Sequence, residues 1–385
     1  MSHSFLRYAL PPEATPVPNN DVADKAALPP FRVLTLDGGG MRGLYTASLM
    51  NNLAQRFVDQ RKCKSLDIGK GFDLIVGTSS GGILACALAA GIPIPQIISF
   101  YESDGPKIFT APVPNTSTRL RFLLWCIRHL CKAANDGTML RRSLTSVFGS
   151  ETFSSLYARR GIAVCVPSVR MLNEGACIFK TPHDREKQRD NQRSLVDICL
   201  ATSAAPIYLP LATISSPIDR QTEVYADGGL WANNPILIGL IEALALCPLE
   251  RSIHILSIGT CPVPEGMVIG RDDANSGLIG WAAGSKAMSA SLSAQADGVG
   301  WMGTLLAKEF RKLKRNVHVV RLEESHPSQD QAQYMRLDLA SKEAQNVFKS
   351  LGAFDAQRVF QHCQQPNDVN GKIISDMFYA MPLQL

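Results

Sequence analysis

The chain has 385 residues, 45% of them hydrophobic and 19% charged, with 29 Gly, 23 Pro and a formal charge of +5. That composition excludes disordered, collagen-like and coiled-coil proteins, and the length allows one large α/β domain with insertions or two smaller domains. The 39 basic and 34 acidic residues are close to balance and form no dense basic stripe of the kind a nucleic-acid groove needs, so neither DNA nor RNA is an expected partner.

In chain order, residues 1–30 hold six prolines and no sustained apolar run, which reads as a mobile Pro-rich tail and not as a signal peptide. A domain over 31–262 follows, and then a mostly helical region, 263–385, expected to pack on the same domain. Four apolar runs rich in β-branched residues read as buried strands: FRVLTL from Phe31, FDLIVG from Phe72, IAVCVPSV from Ile162 and SIHILSIG from Ser252. Helical patterns lie between them, so the sheet is expected to be largely parallel. Two helices, Leu44 to Arg61 and Gly82 to Ala90, each open after a Gly-rich turn, which aims backbone N–H groups at one sheet edge. No charge occurs over the 28 residues from Leu74 to Tyr101, long enough to cross a membrane, but its glycines, prolines and the Thr78-Ser79-Ser80 run favour a buried strand, turn and helix.

Arg119 to Lys132, RLRFLLWCIRHLCK, is apolar around most of a helix and basic between, which suits either a membrane surface or a core-packed helix with snorkelling arginines. Gly266 to Gly303 is rich in Gly, Ala and Ser around Trp281 and Trp301, and suits mobile helices at a cleft or a close-packed helical pair. NVHVVRL from Asn316 reads as a strand within the helical C-terminal region. Ten cysteines, with no C-x-x-C pair and several in apolar stretches, read as reduced, buried small hydrophobes of a cytoplasmic protein.

Three motifs carry chemistry. Gly77-Thr78-Ser79-Ser80-Gly81 stands between a strand and a helix, the context of a nucleophile elbow that presents Ser79 at a helix N-terminus, where the helix dipole favours negative charge. Asp37-Gly38-Gly39-Gly40-Met41-Arg42-Gly43 also follows a strand. It contains G-x-G-x-x-G at Gly38, Gly40 and Gly43, but a dinucleotide site wants an acidic residue at a strand end roughly 20 positions on. Asp59, in a charged helix end, is the nearest. The N–H groups of Gly39 and Gly40, with Arg42 nearby, suit an oxyanion hole better. The third motif, Asp227-Gly228-Gly229, ends an extended segment with a carboxylate that could take the Ser79 proton directly, or is a type I turn. A Ser-Asp-His order with His254 or His326 would fit an α/β-hydrolase triad instead.

Together the three motifs resemble the patatin-like phospholipase family, over about Phe31 to Ile258. The resemblance implies a three-layer α/β/α sandwich around a mostly parallel sheet and hydrolysis of glycerophospholipid acyl esters. It also implies a Ser79–Asp227 dyad without histidine, with Gly38, Gly39, Gly40 and Arg42 around the oxyanion and Gly77, Gly81, Gly228 and Gly229 supporting the turns. No metal or catalytic cofactor is implied.

FYESDGPKIF from Phe100, FKTPHDRE from Phe179 and DICLATSAAPIYLP from Asp197 are similar to the bacterial patatin-like effectors of cyclic-oligonucleotide-based antiphage signalling. That similarity implies activation by a cyclic dinucleotide such as cyclic GMP-AMP and action at the inner membrane on the phospholipid bilayer; since a preformed dyad would be toxic to its host, activation is expected to involve a conformational change or assembly into a homo-oligomer. Candidate regions for phosphate and base contacts are Arg119 to Arg142 and the loop holding Lys180, His183, Arg185, Lys187, Arg189 and Arg193; each is also readable as a solvated surface. Pro206, Ile207, Tyr208, Leu209, Trp231 and the helix around Trp125 are candidates for an apolar surface beside the serine, or ordinary core residues.

Overall fold

A computed structural model describes residues 28–114, 119–184, 186–262 and 285–384. Most of the expected tail and the segment 263–284, with Trp281, lie outside the described residues. One sheet of eight strands organises the chain: β1 (Phe31–Leu36), β2 (Leu74–Gly77), β3 (Ala163–Arg170), β4 (Gly175–Lys180), β5 (Ala212–Ser215), β6 (Thr222–Asp227), β7 (Ile253–Ile258) and β8 (Val317–Arg321). The helices are α1 (Gly43–Arg61), α2 (Ser80–Ala90), α3 (Ile94–Ile108), α4 (Arg119–Arg128), α5 (Gly137–Phe148), α6 (Phe153–Arg160), α7 (Leu195–Thr202), α8 (Gly229–Ala232), α9 (Ile236–Leu246), α10 (Ser285–Lys312), α11 (Gln329–Ala332), α12 (Lys342–Cys363) and α13 (Val369–Tyr379).

The sheet order is β5-β6-β3-β2-β1-β7-β8, with β4 on the remaining edge of β3. The pairs β1–β2, β1–β7, β2–β3 and β7–β8 are parallel, while β3–β4, β3–β6 and β5–β6 are antiparallel. Alternation along the central strands divides the interior in two. Leu34, Leu36, Ile75, Val164 and Val166 face one core with α1, α2, α7, α12 and α13, while Val33, Leu74, Val76, Ala163 and Cys165 face the other with α9 and Ala307 of α10. Helices therefore cover both faces, as the α/β/α expectation required.

The five strands read from sequence are all present; β4 and β5 were not foreseen. Both lie on the antiparallel side, and β5 alternates buried and exposed residues over only four positions, too short for a period to stand out. Helix α2 begins at Ser80, two residues earlier than expected, because Gly81 lets its first turn lie against β1: a Cβ there would be 2.4 Å from the Leu36 carbonyl oxygen. All ten cysteines are free, six of them buried, but Cys131 is exposed and Cys63, Cys126 and Cys363 are half-buried, so the expectation of uniform burial is corrected. Cys126 is on α4 and Cys131 just beyond it, Cys63 follows the end of α1, and Cys363 ends α12.

The C-terminal part adds β8 to the sheet and lays α12 along α1. Tyr45 Oη donates to Asp355 Oδ2 at 2.7 Å, the Ser325 amide donates to the same oxygen at 2.9 Å, and Ser325 Oγ donates to Oδ1. Asp355 and Tyr45 are fully buried, so the carboxylate holds together three parts of the fold. Asp355→Ala leaves the buried hydroxyl of Tyr45 and the half-buried hydroxyl of Ser325 without their acceptor and should destabilise the protein by about 3 kcal/mol, read as a lower thermal midpoint, with Asp355→Asn costing less.

Candidate active site

The C-terminal ends of β1, β2 and β7 stop in register, Leu36 opposite Gly77 and Ile258. Three loops leave this edge together, the usual place for a site in an open parallel sheet. Strand β3 then supplies the decisive geometry. Its Ala163–Cys165 stretch pairs with β2 and its Ser168–Arg170 stretch pairs with β6, while β4 occupies the opposite edge. Strands β2 and β6 therefore run towards each other along one edge of β3. Pro167, which has no N–H to donate, stands between the two stretches. Ser79 follows the end of β2, and Asp227 is the last residue of β6.

The two side chains meet: Ser79 Oγ donates to Asp227 Oδ2 at 2.7 Å. Ser79 has φ 54° and ψ −123°, a strained conformation for a residue other than glycine and the one a nucleophile elbow requires. Its amide donates to Thr202 Oγ1 at 2.9 Å, and Thr202 Oγ1 donates to the Pro167 carbonyl at 2.6 Å. Thr202, at the end of α7, thus ties the elbow to β3. On the other side, Ser168 Oγ donates to the Ala226 carbonyl at 2.8 Å, and the Asp227 and Gly228 amides donate to Ala204 and Thr202. The Gly229 amide donates to Asp227 Oδ1 at 2.6 Å, so both carboxylate oxygens are engaged. Thr202 and Ser168 carry no motif, although Thr202 falls within the segment singled out from Asp197.

The loop from Asp37 to Arg42 closes over the elbow. Gly38 lies so near that a Cβ would come within 3.2 Å of Ser79 Cβ, and Gly40 adopts φ +55° with its backbone against Leu337, where a Cβ would be 2.3 Å from a carbonyl oxygen. The Gly38 amide donates to the Asn233 carbonyl and the Gly39 amide to Ser80 Oγ at 3.0 Å. Gly40 is left as the loop glycine whose amide has no protein acceptor among the described residues, and the Ser80 and Gly81 amides opening α2 share that condition. Arg42 exerts its charge on Asp37 and Glu324. Asp37 is clamped by Arg321 at 2.6 and 2.9 Å, and Arg321 also donates to Ser257 Oγ at 3.0 Å, which fixes the loop to the ends of β7 and β8.

Neither histidine considered for a triad touches the pair. His254 is the second residue of β7, at the opposite end of the strand from the site, where burial and His318 push it down to about 4. His326 is exposed beyond β8. No described histidine hydrogen-bonds to Ser79 or Asp227.

The loop from Lys180 is largely neutralised from within. Lys180 and His183 meet Glu242 at 2.5 and 3.1 Å, Arg189 and Arg193 meet Asp190 at 2.7 and 3.3 Å, Arg193 also meets Glu223, and Lys187 meets Asp184 at 3.2 Å. Arg185 lies outside the described residues. Cys165, His183 and Glu242 have ligand atoms within 4.8 Å of one another, but both Glu242 oxygens are taken by His183 and Lys180, which fits an internal ion pair better than a metal. Burial would raise Glu242, yet those two contacts prevail and hold it at about 2. Of the apolar candidates, Ile207 is exposed, Leu209 is buried and Trp231 is half-buried with its Nε1 donating to the Ser168 carbonyl.

Residues 34–240 match the patatin-like phospholipase family. The chain belongs to that family. It is 33% identical over 333 residues, 86% of this chain and 89% of the relative, to a cGAMP-activated phospholipase of Pseudomonas aeruginosa. It is 31% identical over 331 residues, 83% and 89% of the two chains, to a cGAMP-activated phospholipase of Vibrio cholerae serotype O1. Similarity extends to patatin-like protein 4 of Arabidopsis thaliana, at 30% over 218 residues, 54% of this chain and 51% of the relative. The chain is a patatin-like phospholipase, a serine acyl hydrolase.

Burial raises the Asp227 pKa to about 6, against the opposing hydrogen bonds from Gly229 and Ser79. If the carboxylate acts as a base, kcat/KM for a soluble ester should rise with pH and level off above about 6, as Asp227 ionises. The sign for stability is opposite. A folded-state pKa above the unfolded value favours folding at low pH, and the advantage is lost as pH rises from 3.8 through about 6. Carrying the ionised group costs roughly 3 kcal/mol at neutral pH. Asp227→Asn should therefore lose activity yet melt above the wild type at pH 8, with the gap closing at pH 5.

Proposed function

We propose that the chain cleaves fatty acyl esters of membrane glycerophospholipids through a dyad of Ser79 and Asp227, and that a cyclic dinucleotide switches it on in antiphage defence. The observation that carries the dyad is the direct 2.7 Å hydrogen bond between Ser79 Oγ and Asp227 Oδ2. Ionised Asp227 accepts the hydroxyl proton as Ser79 Oγ forms its bond to the acyl carbonyl carbon. The negative charge on the carbonyl oxygen is met by the Gly40 amide and the first amides of α2, at the positive end of that helix dipole. Collapse of the tetrahedral intermediate breaks the ester C–O bond, and the proton on Asp227 passes to the departing lysophospholipid oxygen. Water, deprotonated by the same carboxylate, then releases the fatty acid and regenerates Ser79.

Support for gating comes from the two relatives named cGAMP-activated, each aligned over more than four fifths of this chain. Cyclic GMP-AMP is accordingly the activator we propose, with the enzyme acting peripherally at the inner membrane and changing conformation or assembly when the nucleotide binds. No cofactor is needed for the acyl transfer itself. Most described cations of the loop from Lys180 are paired with acids of this chain, and the nucleotide contacts are left unassigned.

The test is fatty acid release from vesicles of phosphatidylethanolamine and phosphatidylglycerol, with and without a panel of cyclic dinucleotides. Release should require cyclic GMP-AMP, and Ser79→Ala and Asp227→Asn should each lower it by at least about a thousandfold. Equal release without nucleotide would leave an ungated acyl hydrolase. A light-scattering mass that stays fixed on adding the activator would remove the assembly change and retain a conformational one.

A further inference from the structure

Helix α4 presents two apolar faces. Phe122, Trp125, Cys126 and His129 form a half-buried face, and Trp125 Nε1 donates to the Ala111 carbonyl at 3.3 Å. The other face carries Leu120, Leu123, Leu124 and Ile127 on the helix and Leu130 just beyond it, with exposures of 70%, 56%, 57%, 63% and 81%. Their spacing is that of a stripe an ordinary surface helix turns towards the core, and here it is turned to solvent.

Charge identifies the occupant. Residues 119–132 contain no acidic side chain, and Arg121, Arg128 and Lys132 are exposed with no ion pair to any described residue. An apolar stripe interleaved with unpaired cations on long aliphatic stems matches the boundary of an anionic bilayer: the leucines enter the acyl region while the cations meet phosphate headgroups. A second copy of this chain would bring the same cations to face their own kind. The position is also suitable. Before the helix, the Val113 amide donates to Asp338 Oδ2 at 2.6 Å, and Asp338 follows Leu337, whose carbonyl abuts Gly40. After it, the Ala134 and Asn135 amides donate to the Ile207 and Tyr208 carbonyls at 2.8 and 3.1 Å. Ile207, itself 45% exposed and at φ 77°, stands three residues past Ala204, whose carbonyl receives the Asp227 amide. The segment that carries α4 is thus tied to the oxyanion-loop side of the site at one end and to the Asp227 side at the other.

We propose that the outward face of α4 is the surface by which the enzyme docks on anionic phospholipid bilayers, on a segment tied to both sides of the Ser79 site. The proposal rests on the reading of the chain as a bilayer-acting phospholipase, and its test measures binding and not turnover. Full-length Ser79→Ala protein is sedimented with vesicles of phosphatidylethanolamine and phosphatidylglycerol, or of phosphatidylcholine alone, with and without cyclic GMP-AMP. Binding should favour the anionic vesicles and weaken with salt. Adding Leu124→Glu with Ile127→Glu should weaken it by about tenfold or more, and each of Arg121→Gln, Arg128→Gln and Lys132→Gln by about fivefold. In the protein that retains Ser79, the Leu124→Glu, Ile127→Glu pair should leave hydrolysis of a soluble short-chain ester unchanged, which shows that the fold is intact. Unchanged vesicle binding in that pair, equal binding to neutral vesicles, or no binding in either nucleotide condition overturns the proposal. So does a light-scattering mass showing that the pair splits a self-associated form while vesicle binding persists. Binding as expected alongside an inert wild-type enzyme would contradict the catalytic reading and leave the docking surface standing.

Discussion

A carboxylate held out of water beside a hydroxyl is the constraint around which the rest of this structure is arranged. Asp227 is 5% exposed and Ser79 8%, so their hydrogen bond works without competing solvent. No described histidine bridges Ser79 and Asp227, and the two side chains are delivered to one another directly. Strand β3 does this by pairing with β2 along half of one edge and with β6 along the other half. Thr202, which accepts from the Ser79 and Gly228 amides and donates to Pro167, spans the junction, while Ser168 holds β6 through the Ala226 carbonyl.

The burial that raises the Asp227 pKa is also a burden on folding. Its two opposing hydrogen bonds do not cancel the desolvation, so the charge is carried by the stability of the surrounding cores. Those cores lie on both faces of the sheet and hold the central strands almost completely dry. Arg321 adds a local brace: by gripping Asp37 and Ser257 it joins the ends of β1, β7 and β8 at the edge where the site opens. A glycine-rich loop so anchored can keep the Gly40 amide in place while having little side chain of its own.

Substrate delivery makes different demands from chemistry. Under the proposed reading an acyl chain would leave a bilayer to reach a buried serine, and α4 carries exposed leucines and cations while its connections reach both sides of the site. The loop from Lys180 shows the contrast. Its cations outnumber its acids in sequence, but Glu242, Asp190 and Glu223 fold back on them, so a basic run became an internal network with Phe179 and Tyr225 beneath the two arginines.

What the sequence determined by itself was the central sheet, because its buried strands are short β-branched runs whose patterns need no partner to be read. The Ser79 elbow and the close-packed glycines were legible for a related reason, since a strained turn and a carbonyl within van der Waals reach each restrict the residue types allowed. Strands β4 and β5 were not, being edge elements whose burial is interrupted at every second position. Nor could local pattern choose between Asp227, His254 and His326 as partner for the serine. Asp227 lies 148 positions from Ser79, and only the shared edge of β3 brings it to 2.7 Å, while β7 carries His254 to the far end of the sheet. Likewise the sequence made α4 apolar on nearly every side, and only the packing of Phe122 and Trp125 decided which face was left to water. Distance along the chain sets no distance in space until strands pair, and amphipathicity sets no orientation until one face finds a neighbour.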